Sequence, residues 1–311
     1  MRAVAIALLT ILLFLAGCGD GEVDQGSSGA FIGGTRGLNI EFTEGAPPEE
    51  IFDTNDKFDI NVMIENVGEW HVVKEFAIIT IKGINMDDFG ITSLSKTPDE
   101  DLEPAQKDPQ GHEIKGTKTN VEFSDLEYVG DVAGEVVFDN LVAQACFGYG
   151  TKVQSKICVN EDLLGTAGED RICDPNAQRD VENSGGPVHI TEMEESVLGS
   201  NKIAFTFTVK HVGGGDIYQN MSGCIGEREY KNKVWVEIHD PDIGALSCSG
   251  LEKTGDLVSG EITLYEDEKS QRCTITLAED DFGDFEKVIE MELSYDYKEL
   301  VDTKLIVKHG S

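Results

Sequence analysis

The sequence predicts an all-β protein of two tandem antiparallel β-sandwiches, carried behind a signal peptide and a flexible tether. Three observations lead there: apolar residues that alternate with period two, the return of that alternation far downstream, and short strand signals punctuated by Gly, Pro and Asp. In "FDINVMIENVG", Phe58, Ile60, Val62 and Ile64 share one face of an extended chain, because successive strand side chains point to opposite sides. Asp59, Asn61 and Glu65 share the other face, with Met63 its apolar exception. One dry face and one wet face mark a strand in an antiparallel sheet.

"IAFTFTVKHVG" repeats the pattern from Ile203, at a shift of 145 residues, and Val67-Gly68 falls on Val212-Gly213. Each glycine is expected to take positive φ and let its strand bend as it leaves the sheet. A second match has a shift of 148. "FGYGTKVQSKICV" from Phe147 falls on "YDYKELVDTKLIV" from Tyr295, with Phe147 on Tyr295, Tyr149 on Tyr297 and Val159 on Val307. Two matches at nearly one shift indicate a tandem duplication, with a period too long for a solenoid repeat of roughly 20–50 residues. Between these markers both copies read as strands, among them "FAIITIKG", "GEVVFDNLVAQACF", "KVWVEI", "GEITLY" and "VIEMELSYDY". About seven strands per copy predict a two-layer sandwich in each. The boundaries are 31–160 for the first sandwich, 161–186 for an acidic linker and 187–311 for the second sandwich.

The strand closing on Glu65-Asn66-Val67-Gly68 resembles the CARDB and related immunoglobulin-like domains of bacterial and archaeal surface proteins. In the second copy His211 stands where the first has Asn66. The resemblance rests on one short segment per copy. It implies immunoglobulin-like sandwiches acting as extracellular adhesion or spacer modules, with no catalytic residues to carry over.

The chain opens "MRAVAIALLTILLFLAGCGDG". Residues 3–16 are apolar apart from Thr10, short of the roughly 20 residues that span a bilayer and suited to the core of an export signal. The run ends in "LAGC", which resembles the lipobox of exported lipoproteins. That resemblance implies a signal peptide of residues 1–17, cleavage before Cys18, and lipid on its thiol. Residues 18–30, rich in Gly, Ser and acids, form the tether. The expected location is therefore the outer face of the cell membrane, held through the lipid at Cys18 by two or more acyl chains. With 59 acidic against 25 basic residues and a formal charge of −34, the chain lacks the basic patch that nucleic acid requires.

Setting Cys18 aside leaves Cys146, Cys158, Cys173, Cys224, Cys248 and Cys273. An even number in an exported chain indicates disulfides. With three in each half, complete pairing requires a bridge between the halves. If residues 147–159 form a hairpin with Phe147 facing Ile157, then Cys146 faces Cys158. The expected set is Cys146–Cys158, Cys173–Cys224 and Cys248–Cys273, with Cys158–Cys173 the alternative. A Cys173–Cys224 bridge would fix the angle between the domains and make a rod. Without a Cys-x-x-Cys pair, zinc is disfavoured.

Catalytic signatures are missing. The six histidines are scattered, and neither His-Glu-x-x-His nor Gly-x-Ser-x-Gly occurs, so no enzymatic activity is expected. Calcium is the best-motivated ion and no other cofactor is indicated. "DPDIG" and "EDDFGDFE" gather Asp240, Asp242, Asp280 and Asp281 in turns, and hard cations take oxygen ligands of this kind. Trp70, just past the first Val-Gly, is a candidate interaction anchor, against the plainer reading that it caps the core. The segment Thr92–Thr119 is a second contact candidate, and Asn220-Met221-Ser222 is a glycosylation sequon. The reading that follows is a non-catalytic, lipid-anchored surface protein for adhesion, display or spacing, whose partner is a surface protein or glycan. The alternatives are a solute- or cation-binding receptor lipoprotein and an envelope-assembly subunit that exchanges an edge strand.

Overall fold

The computed structural model describes residues 29–54, 56–165, 171–278 and 283–310. Cys18, most of the tether, Asp280 and Asp281 lie outside the described residues. Among the described residues the fold is all-β, interrupted by two 3-10 turns at Lys74–Phe76 and Arg228–Tyr230. No helix among them is long and apolar enough to cross a membrane.

The first half contributes β1 (Leu38–Phe42), β2 (Phe58–Asn66), β3 (Ala77–Lys82), β4 (Lys118–Leu126) and β5 (Glu135–Val159). The second contributes β6 (Val188–Gly199), β7 (Lys202–His211), β8 (Lys233–His239), β9 (Gly244–Cys248), β10 (Leu257–Thr263), β11 (Glu268–Leu277) and β12 (Phe285–Lys308). One layer of the first half is the sheet β1-β2-β4, and its counterpart in the second is β6-β7-β11-β9. The alternating strands take the same central place in these two sheets, β2 between β1 and β4, β7 between β6 and β11. The predicted inward residues Phe58, Ile60, Val62 and Ile64, and Ile203, Phe205, Phe207 and Val209, are all buried.

The other layers are not separate. β3-β5 and β12-β8-β10 belong to one continuous sheet, because β5 and β12 pair antiparallel from Phe285 opposite Val159 to Lys308 opposite Glu135. The register is self-complementary. Phe147 faces Tyr297 and Tyr149 faces Tyr295, while the sequence repeat equates Phe147 with Tyr295 and Tyr149 with Tyr297. Gly148 faces its own counterpart, Asp296. This is the isologous pattern of a two-fold axis, here internal to one chain and passing through the Gly148–Asp296 pair. Residues directly opposite in a ladder share a face, so both cores lie beneath the same side of the sheet. They form a single buried cluster that runs from Leu38 to Val307. Phe147, Tyr149, Tyr295 and Tyr297, all 0–2% exposed, pack at the seam with centroids 5.9–6.3 Å apart, within the range of favourable aromatic pairs.

Several expectations are corrected here. The segment 147–159 is no hairpin but part of one unbroken strand. Twelve residues of strand, at about 3.3 Å each, hold Cys146 and Cys158 roughly 40 Å apart, far beyond disulfide reach. The bridges are Cys146–Cys224, Cys158–Cys173 and the expected Cys248–Cys273. Cys146–Cys224 therefore supplies the inter-half bridge in place of Cys173–Cys224. The halves sit side by side on one sheet, not end to end as a rod. Part of the 161–186 linker is also structured: Gln178–Arg179 pairs antiparallel with β6, and Val181–Asn183 pairs with β5. The Thr92–Thr119 segment is pinned by Ser95–Lys96 against β3, by the Val72–Leu102 bridge and by burial of Leu102 and Ala105.

Candidate functional site

The Val-Gly turns are built around the seam tyrosines. The chain bends at Gly68 and at Gly213 as expected, but neither glycine takes positive φ there. Each is glycine because a tyrosine occupies the space of a side chain. A Cβ on Gly68 would lie 2.0 Å from the Tyr149 hydroxyl, and one on Gly213 would lie 2.4 Å from that of Tyr297. Tyr149 donates to the Gly185 carbonyl at 3.0 Å and accepts from the Trp70 amide at 3.4 Å. Tyr297 accepts from the Gly215 amide at 2.6 Å and bonds His211 Nε2 at 3.0 Å. Asn66, fully buried, donates to the carbonyls of Trp70 and Leu102 and accepts from the Gly68 amide. His211 holds the equivalent position by bonding tyrosine instead.

Trp70 is half-buried. Its indole covers Gly150, where a Cβ would meet three ring atoms at 2.8 Å, and the Lys152 ammonium stands 5.9 Å from the ring centroid. Gly150 and Lys152 point away from the core, on the outer face of the shared sheet. Across three strands that face is ordered in rows. Gly150 faces Ser294, which faces Trp235; Lys152 faces Glu292, which faces Glu237; Gln154 faces Glu290. Trp235, 37% exposed, donates its indole N–H to Glu237 at 2.9 Å. Next to these rows lies a cavity of about 260 Å³ lined by Phe31, Lys152, Gln154, His239, Glu290 and Glu292. Burial, then the Glu237 charge, raises the Glu292 carboxyl above its ordinary range.

A second cleft, of about 300 Å³, lies between β5 and residues 178–182 and is lined by Lys156, Arg179, Glu182 and Glu286. Beneath it Glu195, with a fully buried side chain, pairs with Arg179 at 2.6 Å and accepts from the Cys158 amide at 3.0 Å. Its Oε1 has no hydrogen-bond partner. Burial pushes this carboxyl up to about 7 against the pull of the Cys158 amide and Arg179.

The carboxylate turns divide. Asp240 is engaged by Lys253 and by the Asp242 amide, and Asp242 is exposed. The metal-competent grouping among the described residues lies elsewhere, at Asp53, Asp131 and His309, whose ligand atoms lie within 4.8 Å of one another. Asp53 there accepts from the Gly310 and Val132 amides and from His309 Nδ1. These bonds lower its pKa to about 2 and clasp the end of β12 to the first half. Nothing in the spacing of Asp53, Asp131 and His309 along the sequence signals this meeting. Among the other histidines, His71 faces Asp101 and Glu103, His112 faces Asp108, and His189 bonds the Gly34 carbonyl. Asn220 is exposed in the turn before Cys224.

No family model matches the chain, and no curated protein does. Among solved structures, the secreted serine protease VesC from Vibrio cholerae aligns at 8% identity and a TM-score of 0.18, over 83% of this chain and 50% of that one. The chain thus spans half the length of that protease, and a likeness at this level carries no argument.

Proposed function

We propose that this protein is a non-catalytic, lipid-anchored surface protein, whose two fused sandwiches present one broad sheet face for adhesion or display. What carries the reading is the combination of an apolar leader ending in "LAGC" with three disulfides in the folded part, the cysteine usage of exported proteins. The histidines described above spend their ring nitrogens on carboxylates, carbonyls and a buried tyrosine, an arrangement suited to holding loops. Metabolic labelling with a palmitate analogue tests the anchor. The full chain is expected to take up label and partition with membranes, and Cys18→Ala to lose both. Equal labelling of the two, or no labelling of either, would overturn the reading.

A further inference from the structure

The two-fold relation gives the outer face two equivalent rows, and they have diverged. One is Gly150–Ser294–Trp235. Its counterpart under the axis is Lys298–Cys146–Ile78, since Lys298 faces Cys146 and Cys146 faces Ile78. In that second row Cys146 is bonded to Cys224. The loop carrying Cys224 is tied down further, as the Met221 and Gly223 amides donate to Asp296 on the axis. Tyr218 takes the place of Trp70, with Lys298 4.9 Å from its ring centroid. One half-face is thus covered by a stapled loop. The other keeps an exposed indole, a bare serine and a cavity.

The open half has a definite chemistry. Two strand spacings place Trp235 about 10 Å from Gly150, over which Trp70 lies. Two indoles therefore flank Ser294, with acids, an amide and an ammonium on the adjoining rows. This is a sheet face, whose backbone groups are already spent in ladders, so it offers a peptide strand nothing to pair with. Glu237, Glu290 and Glu292 outnumber Lys152, which disfavours an anion, and the polar floor disfavours a lipid or drug-like apolar molecule. The Lys152 ammonium already stands over Trp70, at the place a cationic ligand would take. What complements flat apolar rings beside neutral and charged hydrogen-bonding groups is a molecule with an apolar C–H face and hydroxyls around its edge. The cavity is below the roughly 300–1,000 Å³ of pockets that enclose a drug-sized ligand, and so suits a chain of sugar rings lying along an open face.

We infer that the open half of the outer face is a saccharide-binding groove, in which Trp235 stacks on a neutral sugar ring, Trp70 with Lys152 over it walls the opposite side, and Lys152, Gln154, Glu290 and Glu292 bond the sugar hydroxyls. The inference rests on the display reading above by naming the partner's chemistry, but its test is independent of the anchor. The chain has two tryptophans in all, and both flank the groove, so intrinsic fluorescence reports on it directly. The full chain would be titrated with tetramers of glucose, mannose and N-acetylglucosamine, and separately with tetralysine. At least one tetramer is expected to give a saturable change with a midpoint between about 10 μM and 5 mM. Trp235→Ala, monitored by the remaining Trp70, and Gln154→Ala, which leaves both indoles in place, should each weaken it tenfold or more, about 1.4 kcal/mol. No saturable change with any tetramer, a response to tetralysine alone, or unaltered affinity in the Gln154→Ala protein would overturn the assignment. Loss of palmitate labelling with sugar binding intact would sink only the anchor.

Discussion

One glycine and two carboxyls carry the clearest residue-level consequences. Gly68→Ala drives a methyl group into the Tyr149 hydroxyl and toward the Gly185 and Arg36 carbonyls. Overpacking of this kind costs about 1–3 kcal/mol, read as a lower denaturation midpoint. Adding Tyr149→Phe removes the closest clash and should restore part of the loss; no restoration would mean the hydroxyl is not what excludes a side chain. Glu299 tests burial. It faces Ala145 on the core side of the seam, and burial pushes its carboxyl up to about 7, with Arg36 the opposing charge. The folded state then holds this proton more tightly than the unfolded chain, where the group titrates near 4.3. Its contribution is undiminished below about pH 4 and is lost as pH rises through 7. Glu299→Gln should therefore leave the melting temperature nearly unchanged at pH 4 and raise it by a few degrees at pH 8.5. An equal shift at both pH values would contradict this. At Glu195 the opposite outcome is expected, because Gln there strands Arg179, only 9% exposed. Breaking a buried pair costs about 3–5 kcal/mol.

At the scale of elements, the disulfides separate two kinds of support. Cys146–Cys224 closes a loop of 78 residues and Cys158–Cys173 one of 15. In the chain-entropy model these contribute about 4.5 and about 3 kcal/mol. Paired Cys→Ser variants should rank in that order in chemical denaturation, and the reverse order would show that local packing outweighs loop closure. The strands themselves were largely legible in the sequence. Period-two alternation marks β2 and β7, and the duplication matches segments of β5 and β12 as equivalents, while their pairing with each other is visible only in the structure. What alternation cannot express is continuity. A 25-residue strand carries the same local signal as a hairpin of two short ones, because the alternation on either side of Lys152 reads the same whether or not the chain turns back there. Gly150 makes room for the Trp70 ring, whereas a Cβ at Gly148 would meet nothing closer than 3.7 Å. The expected Cys146–Cys158 bridge depends on that hairpin and falls with it. The Asp53 clasp was illegible because its members come from three distant segments. The outward position of Trp235 in "KVWVEI" follows from the same alternation, but alternation alone does not separate an outward tryptophan in a groove from any other solvent-facing strand residue.

For the whole molecule, a charge of −34 on one compact body means self-repulsion that salt should relieve. The melting temperature is expected to rise between 20 and 500 mM NaCl, and a fall would mean that attractive pairs dominate. The larger matter is how the two copies relate. In beads on a linker each copy would own its core, and mutations in one would leave the other untouched. Here the seam strands and their four aromatic rings belong to both halves, so the β5–β12 ladder should make the chain one cooperative unit. Scanning calorimetry of the full disulfide-bonded chain and of its Tyr295→Ala variant tests this most directly. The structure predicts a single transition whose calorimetric and van't Hoff enthalpies agree, shifted as a whole in the variant. Two resolved transitions, with only the second-half one displaced by Tyr295→Ala, would contradict it.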